Sequence, residues 1–289
     1  ILYFVTDLNF NITLLYISIL YYLIGVLSDI YEKFEPRLRL ISQFTLMIIF
    51  IYLNNLTLSN VDIEFINYFL NNQITNTLFI SFCTITLING LNLMDGKNGL
   101  VSINLLTIFV ILFLINQKNN NDASIYVFLL IIIFVYLIFN LFGKCFLGDS
   151  GIYVFGFLVA YLVLETYNKS SLLSSIFIVN LLWFPCLENL FTIIRRFILN
   201  HKKITKPDKR HLHHLIDIML IKKYRFNKKL SNTITGIVIN LYILLTIIIA
   251  YNFMSDRTVN LLILLCNVLI YSMLYAKLII SNIYGKKLN

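Results

Sequence analysis

Charge is what this 289-residue sequence has least of: Asp, Glu, Lys and Arg together make up 13% of it, against about 25% in an ordinary globular chain. That shortage excludes a soluble domain with a solvated surface. The four cysteines, Cys83, Cys145, Cys186 and Cys266, stand singly without a C-x-x-C pair. Neither a disulfide framework nor a thiolate metal site is therefore expected. Acidic residues number only 14, against 23 Lys and Arg. The chain starts at Ile1 with no basic segment ahead of its first apolar run, so its natural start is expected to lie upstream.

What is abundant is apolar residues, at 59%. Uncharged windows cover 8–28, 40–61, 65–94, 98–117, 123–143, 151–164, 170–187, 231–255 and 258–276. Nearly all reach the roughly 17–25 residues that cross a bilayer as a helix. The window after Asp149 is the exception and spans only by including Glu165 and Tyr167. The runs are continuously apolar rather than alternating, which favours a helical bundle over a barrel. The expected fold is all-α, a polytopic membrane bundle of about nine transmembrane helices within one domain, 1–289. Ile63 to Leu70 reads as an interfacial helix.

Alternate connections differ sharply in charge. One side holds Lys33, Arg37, Arg39, Lys97, Lys144, twelve basic residues between Arg195 and Lys229, and Lys277, Lys286 and Lys287, which is 20 of the 23. By the positive-inside rule this side is cytoplasmic. The net charge of +9 thus calls for no nucleic acid; the basic stretch 191–230 instead attracts lipid headgroups and anionic phosphates.

The scarce acids fall where spans end. Asp29 closes the first, Asp95 closes the third within Asn92-Leu-Met-Asp95-Gly-Lys-Asn98-Gly-Leu, Asp149 opens the sixth within Phe146-Leu-Gly-Asp149-Ser-Gly, and Glu188 is read as ending the seventh. Gly96 with Gly99, and Gly148 with Gly151, offer tight turns whose N–H groups suit an anion. Oxygen ligands on such turns suit magnesium, which is held by one or two carboxylates plus substrate phosphates. Each turn alone has a structural alternative, a tight helix connection that would also want glycine. A third cluster, 206–216, gathers three of the four histidines. His211, His213 and His214 lack a fourth zinc ligand at suitable spacing, and with neighbouring basic residues they suit a diphosphate better. Arg195 and Arg196 end the seventh span, where snorkelling alone would place one of them.

These motifs, in this order, resemble the polyprenyl-phosphate N-acetylhexosamine-1-phosphate transferases, a glycosyltransferase family 4 type. That family includes enzymes that start enterobacterial common antigen, O-antigen and teichoic acid linkage units, and the phospho-N-acetylmuramoyl-pentapeptide transferase. The resemblance rests on Asn92-x-x-Asp95-Gly-x-Asn98-Gly-Leu, Phe146-Leu-Gly-Asp149-Ser-Gly and Pro207-Asp-x-x-His211-Leu-His213-His214, with Pro185-x-x-Glu188 and Arg195-Arg196 between. It runs from about Gly25 to Ile216. The resemblance implies an inner-membrane enzyme whose active site faces the cytoplasm, transferring a sugar 1-phosphate from a UDP-N-acetylhexosamine to polyprenyl (undecaprenyl) phosphate and releasing UMP. Mg2+, or Mn2+ in its place, is the implied cofactor, with Asp149 and Asp95 as metal ligands and Asp29 near the acceptor phosphate. Asn92, Asn98, Phe146, Arg195, Arg196, Arg210, His211, His213 and His214 are the implied substrate-binding residues, Phe146 beside the uracil.

The sequence departs from the family where Ser28 and Asn98 replace aspartates and where Phe142-Gly143 replaces Pro-Ala. It lacks the family's N-terminal helix and glycine-rich loop, so a fuller chain would have ten or eleven spans. The His-Leu-His-His form resembles the acetylglucosamine-type branch. Two rival readings remain, an inactive relative and a polytopic transporter; the latter expects acids near mid-membrane. Oligomeric state, a homodimer included, is left open.

Overall fold

The computed structural model describes residues 12–31, 34–58, 60–198 and 210–284. Twelve helices account for the described residues: α1 (Ile12–Ile30), α2 (Pro36–Asn54), α3 (Glu64–Leu70), α4 (Gln73–Met94), α5 (Leu100–Lys118), α6 (Ser124–Leu141), α7 (Gly148–Lys169), α8 (Ser175–Leu181), α9 (Trp183–Ile198), α10 (Leu212–Tyr224), α11 (Lys228–Asn252) and α12 (Arg257–Tyr284). Eight of these are long and apolar enough to cross a membrane, and α8 with α9, bent by 80°, forms a broken span or a re-entrant loop that brings the count to nine if taken as one span. The protein is an integral-membrane helical bundle.

The bend corrects the straight seventh span of 170–187. Pro185 is the third residue of α9, and a proline has no N–H to give the carbonyl of Leu181 four residues back. The helix breaks at Leu182 and restarts at Trp183. Pro185 therefore begins the second half of the span and does not end the helix. The apolar window 65–94 is likewise two elements, because Asn72 caps a new helix by accepting from the N–H of Ile74 and Thr75. The short α3 ahead of it coincides with the segment expected to lie apart from the spans.

The core forms where α1, α2 and α7 meet. Tyr21 stacks on Phe157 with ring centres 4.7 Å apart, and Phe50 meets Phe157 edge-on at 4.9 Å. The Tyr21 hydroxyl donates to the Gln43 carbonyl at 2.8 Å, so a buried polar tip is satisfied where water is absent. Gly25 lets α1 come this close: a Cβ there would lie 2.3 Å from the Ser150 Cα. On the far side α5 is buried around most of its circumference, between α6 and α11. Exposed leucines and isoleucines on α6, α11 and α12 face where lipid tails would lie, since lipid is as apolar as the side chains themselves.

Chain direction brings the ends of α1, α4 and α9 and the starts of α2 and α7 to one end of the bundle. The stretch 191–230, read as a basic loop, is mostly helical: α9 continues to Ile198, α10 follows, and α11 begins at Lys228. Residues 199–209, with Pro207 and Asp208 of the histidine motif, lie outside the described residues, as do residues 1–11.

Candidate active site

At that end lies a cleft of about 1240 Å³. Asp29, Asp95 and Asp149 line one wall, and Arg196, His211 and His214 line the other. The first wall is built on the start of α7. Gly148 takes a left-handed φ of +64°, which aims successive N–H groups at carboxylates rather than at solvent. Gly148 N–H donates to Asp95 Oδ2 at 3.0 Å, Asp149 N–H to Asp29 Oδ1 at 2.9 Å, and Ser150 N–H to Asp29 Oδ2 at 3.1 Å. The turn expected to bind an outside anion is thus occupied by the chain's own acids.

Asp149 stands in the first turn of α7 and is held from several directions. Arg39 Nη1 pairs with Oδ2 at 2.9 Å, the Tyr153 hydroxyl donates to Oδ2 at 3.0 Å, and Asn92 Nδ2 donates to Oδ1 at 2.6 Å. The Ser28 hydroxyl also donates to Oδ2. Asp95, C-terminal to α4, is pushed up to about 7, mainly by burial and in part by the charges of Asp149 and Asp29, against the pull of backbone N–H groups at Gly148 and Leu147. Three carboxylates around one turn, with Arg39 as the cation bonded to Asp149, leave an excess of negative charge that a divalent cation would offset. Among the described residues no three Asp, Glu, His or Cys side chains hold a metal ion by themselves. The donor set fits magnesium only with phosphate oxygens completing its shell.

The opposite wall takes Asn189, Thr192 and Arg196 from α9, whose polar stripe also carries Glu188 and Arg195 at helical spacing. Glu188, read as a membrane-boundary cap, is fully buried. It sits mid-helix because α9 continues past it for ten residues, and it accepts from Tyr271 and from the start of α10. His211 and His214 border the cleft. Burial, followed by Lys97 and His211, lowers His214 to about 4, so its ring is neutral near pH 7.

Residues 11–167 match the family model "Glycosyl transferase family 4", which covers more than half of the chain and all three cleft aspartates. The chain belongs to glycosyl transferase family 4. No curated protein matches the sequence. This family 4 member is a membrane transferase, and its family acts in phospho-sugar transfer to a polyprenyl phosphate. The α8–α12 part, with the histidines, lies beyond the matched residues.

Several residues singled out in the transferase sequence stand elsewhere. Asn98 is buried behind the cleft: its N–H donates to Asn232 Oδ1 at 2.7 Å and its Nδ2 to Thr233 at 3.1 Å. Lys97 beside it is buried and pairs with the partly buried Asp217. The Lys97–Asn98 turn docks α10 and α11 and does not form an anion cradle. His213 is wholly buried between His211 and His214 with neither ring nitrogen bonded. Phe146 is 51% exposed and lies outside the cleft lining. Arg195 turns away, donating to the Arg210 carbonyl and the Tyr275 hydroxyl, both at 2.6 Å; the Arg210 residue itself is exposed. Arg39, Ser28 and Tyr153, which the sequence reading gave no part in binding, join the site through Asp149.

Proposed function

We propose that this family 4 transferase moves an N-acetylhexosamine 1-phosphate from a UDP-sugar onto polyprenyl phosphate at the cytoplasmic face of a bacterial-type inner membrane. The observation that carries the reading is that one cleft joins two chemistries. Its polar end has the aspartates facing Arg196 and the histidines, and from there an apolar trough runs along Leu40, Ile41, Phe44, Phe82, Ile85 and Ile193. A water-soluble diphosphate and a lipid phosphate need that combination in one place. The basic bias of the same end favours a cytoplasmic site.

In this reading the acceptor lies with its prenyl chain in the trough and its phosphate near Asp29. A phosphate oxygen attacks the β-phosphorus, forming a new P–O bond. The bond between that phosphorus and the bridging oxygen breaks, and the electron pair leaves on UMP. Repulsion between anions dominates the barrier. Arg196, with His211 as a hydrogen-bond donor, stabilises charge on the departing UMP. Asp95 and Asp149 would hold magnesium, which supplies neutralisation of the diphosphate. Arg39 and Asn92 keep Asp149 in place. A phosphate already ionised near neutral pH asks little of a base, so Asp29 is assigned to positioning.

UDP-N-acetylglucosamine is the first donor to test, on the strength of the His-Leu-His-His resemblance. Membranes containing the protein, given magnesium and polyprenyl phosphate, are expected to move radiolabel from that donor into an organic-extractable lipid. Label entering lipid from a different UDP-sugar would change the substrate and keep the reaction. No lipid product from any UDP-N-acetylhexosamine would contradict the reading.

A further inference from the structure

Glu188 is the most deeply buried carboxylate near the cleft, with no exposure, yet it lies outside the cleft lining. Its contacts are specific. Oε1 accepts from the N–H of Leu212 at 3.2 Å and lies 3.0 Å from His211 Nδ1, and Oε2 accepts from the Tyr271 hydroxyl at 2.7 Å. The second neighbour of His211 Nδ1 is the Thr192 hydroxyl at 3.4 Å. That hydroxyl spends its own proton on the Glu188 backbone carbonyl at 2.8 Å, so it presents a lone pair to the ring. Both groups facing Nδ1 are therefore acceptors, and the imidazole proton belongs on Nδ1. The nitrogen left for a ligand in the cleft is Nε2.

We infer that Glu188 is a positioning residue that fixes His211 with its proton on Nδ1 and presents Nε2 to the cleft, where a protonated ring donates to an anionic phosphate oxygen. The inference rests on the proposed transfer reaction, where it assigns His211 as the donor that Glu188 prepares. The logic is electrostatic. A buried carboxylate without a counter-charge is costly, and a diphosphate entering the cleft adds negative charge beside it. A proton taken from solvent onto Nε2 gives His211 two donors, one to Glu188 and one to the phosphate. The other charged and titratable groups around the ring are His213 and His214 on α10, Arg196 on α9 and Tyr271 on α12, with Lys97 at the α4–α5 turn acting on His213 and His214. Among the described residues Glu188 is the one carboxylate bonded to the His211 ring, with His213 Nδ1 farther off at 3.9 Å from the same oxygen, which leaves Glu188 as the residue that orients that ring.

Two measurements on the full chain in detergent test this. The first is the 15N spectrum of histidine-labelled protein, with His211 assigned by its disappearance in His211→Gln. The result expected is a protonated Nδ1 and a bare Nε2 at pH 8; a bare Nδ1 with the proton on Nε2 would overturn the inference, and this readout needs no activity. The second is a double-mutant cycle on transfer. Glu188→Gln is expected to lower kcat on the order of tenfold to a hundredfold, the range found when the partner orienting a ligating histidine is removed, and to cost less than about twofold when His211 is already Gln. An equal loss in both backgrounds would show a structural role only and overturn the inference. Absence of transfer by the wild-type protein would contradict the proposed reaction instead, and the 15N result would still decide the arrangement of Glu188 and His211.

Discussion

Asp149 shows how much of a site is made by neighbours that sequence order hides. Its carboxylate stands at a helix start in a Gly-Asp-Ser-Gly turn, a pattern legible in the sequence because acids are scarce and glycines bracket it. The residues that hold it come from three other turns of the chain: Arg39 begins α2, Asn92 ends α4 and Ser28 ends α1. Asn92 is marked by the motif it shares with Asp95, whereas the roles of Arg39 and Ser28 depend on helix docking and leave no local signature. His213 was misread for the opposite reason. It shares a motif with two cleft residues, but one residue along a helix turns a side chain by about 100°, which carries it from the cleft into the packed layer. Burial, reinforced by His214, His211 and Lys97, lowers its protonation well below the ordinary 6.5. Below that value the unfolded chain binds a proton that the folded chain refuses, so stability falls as pH drops. His213→Leu is expected to match the wild type in melting temperature at pH 7.5, since neither ring nitrogen is bonded and apolar replacement of such a group is close to neutral. It should also lose less stability than the wild type on moving to pH 5.5. A collapse at pH 7.5, or an unchanged acid sensitivity, would show that the ring is bonded or charged in the fold.

Among the helices, two contacts carry the arrangement of the cleft. The crossing of α1 over the start of α7 at Gly25 sets where Asp29 reaches the N–H groups of Asp149 and Ser150. Gly25→Ala must push a backbone aside. Transfer is expected to fall at least tenfold, with a loss of about 1–3 kcal/mol in stability for the overpacked crossing; wild-type activity would mean that Asp29 holds its place without the close approach. The Lys97–Asp217 pair joins the α4–α5 turn to α10. Lys97→Met leaves the partly buried Asp217 carboxylate with the Ser231 hydroxyl but no cation and is expected to cost about 1–3 kcal/mol, much of it regained when Asp217 is replaced by Asn as well. Thermal unfolding of the two variants side by side checks this, and equal losses would contradict the pairing. The sequence shows Lys97 and Asn98 between glycines and suggests an anion site. Their true partners, Asp217 and Asn232, lie more than a hundred residues away, beyond what spacing reveals. The span count was legible because apolar length is a local property. The bend at Leu182 was legible only in part: Pro185 marks a break, but a proline near an apolar run's end reads equally as a terminus.

At the scale of the molecule, membrane crossing and catalysis share one design. Eight spans and the bent α8–α9 pair bring the ends of α1, α4 and α9 and the start of α7 together, so acids that are rare in the chain become concentrated in one cleft. The three cleft aspartates stand at helix ends rather than at mid-span; Glu188 does stand buried in mid-helix, and the family match is what favours the transferase over the transporter reading. The trough beside them was invisible in the sequence, since Leu40, Phe44, Phe82 and Ile193 are ordinary members of apolar runs until α2, α4 and α9 surround one space. The account places charge neutralisation of a diphosphate at the aspartate wall, and Asp149→Asn keeps the size and most hydrogen bonds of that residue while removing its charge. The most direct measurement is UMP release from a UDP-N-acetylhexosamine by purified protein with polyprenyl phosphate and magnesium, for wild type and Asp149→Asn of matched melting temperature. Release that requires both the lipid phosphate and the metal, and that falls by at least a thousandfold in Asp149→Asn, is the expected result; undiminished release by the variant would contradict the account.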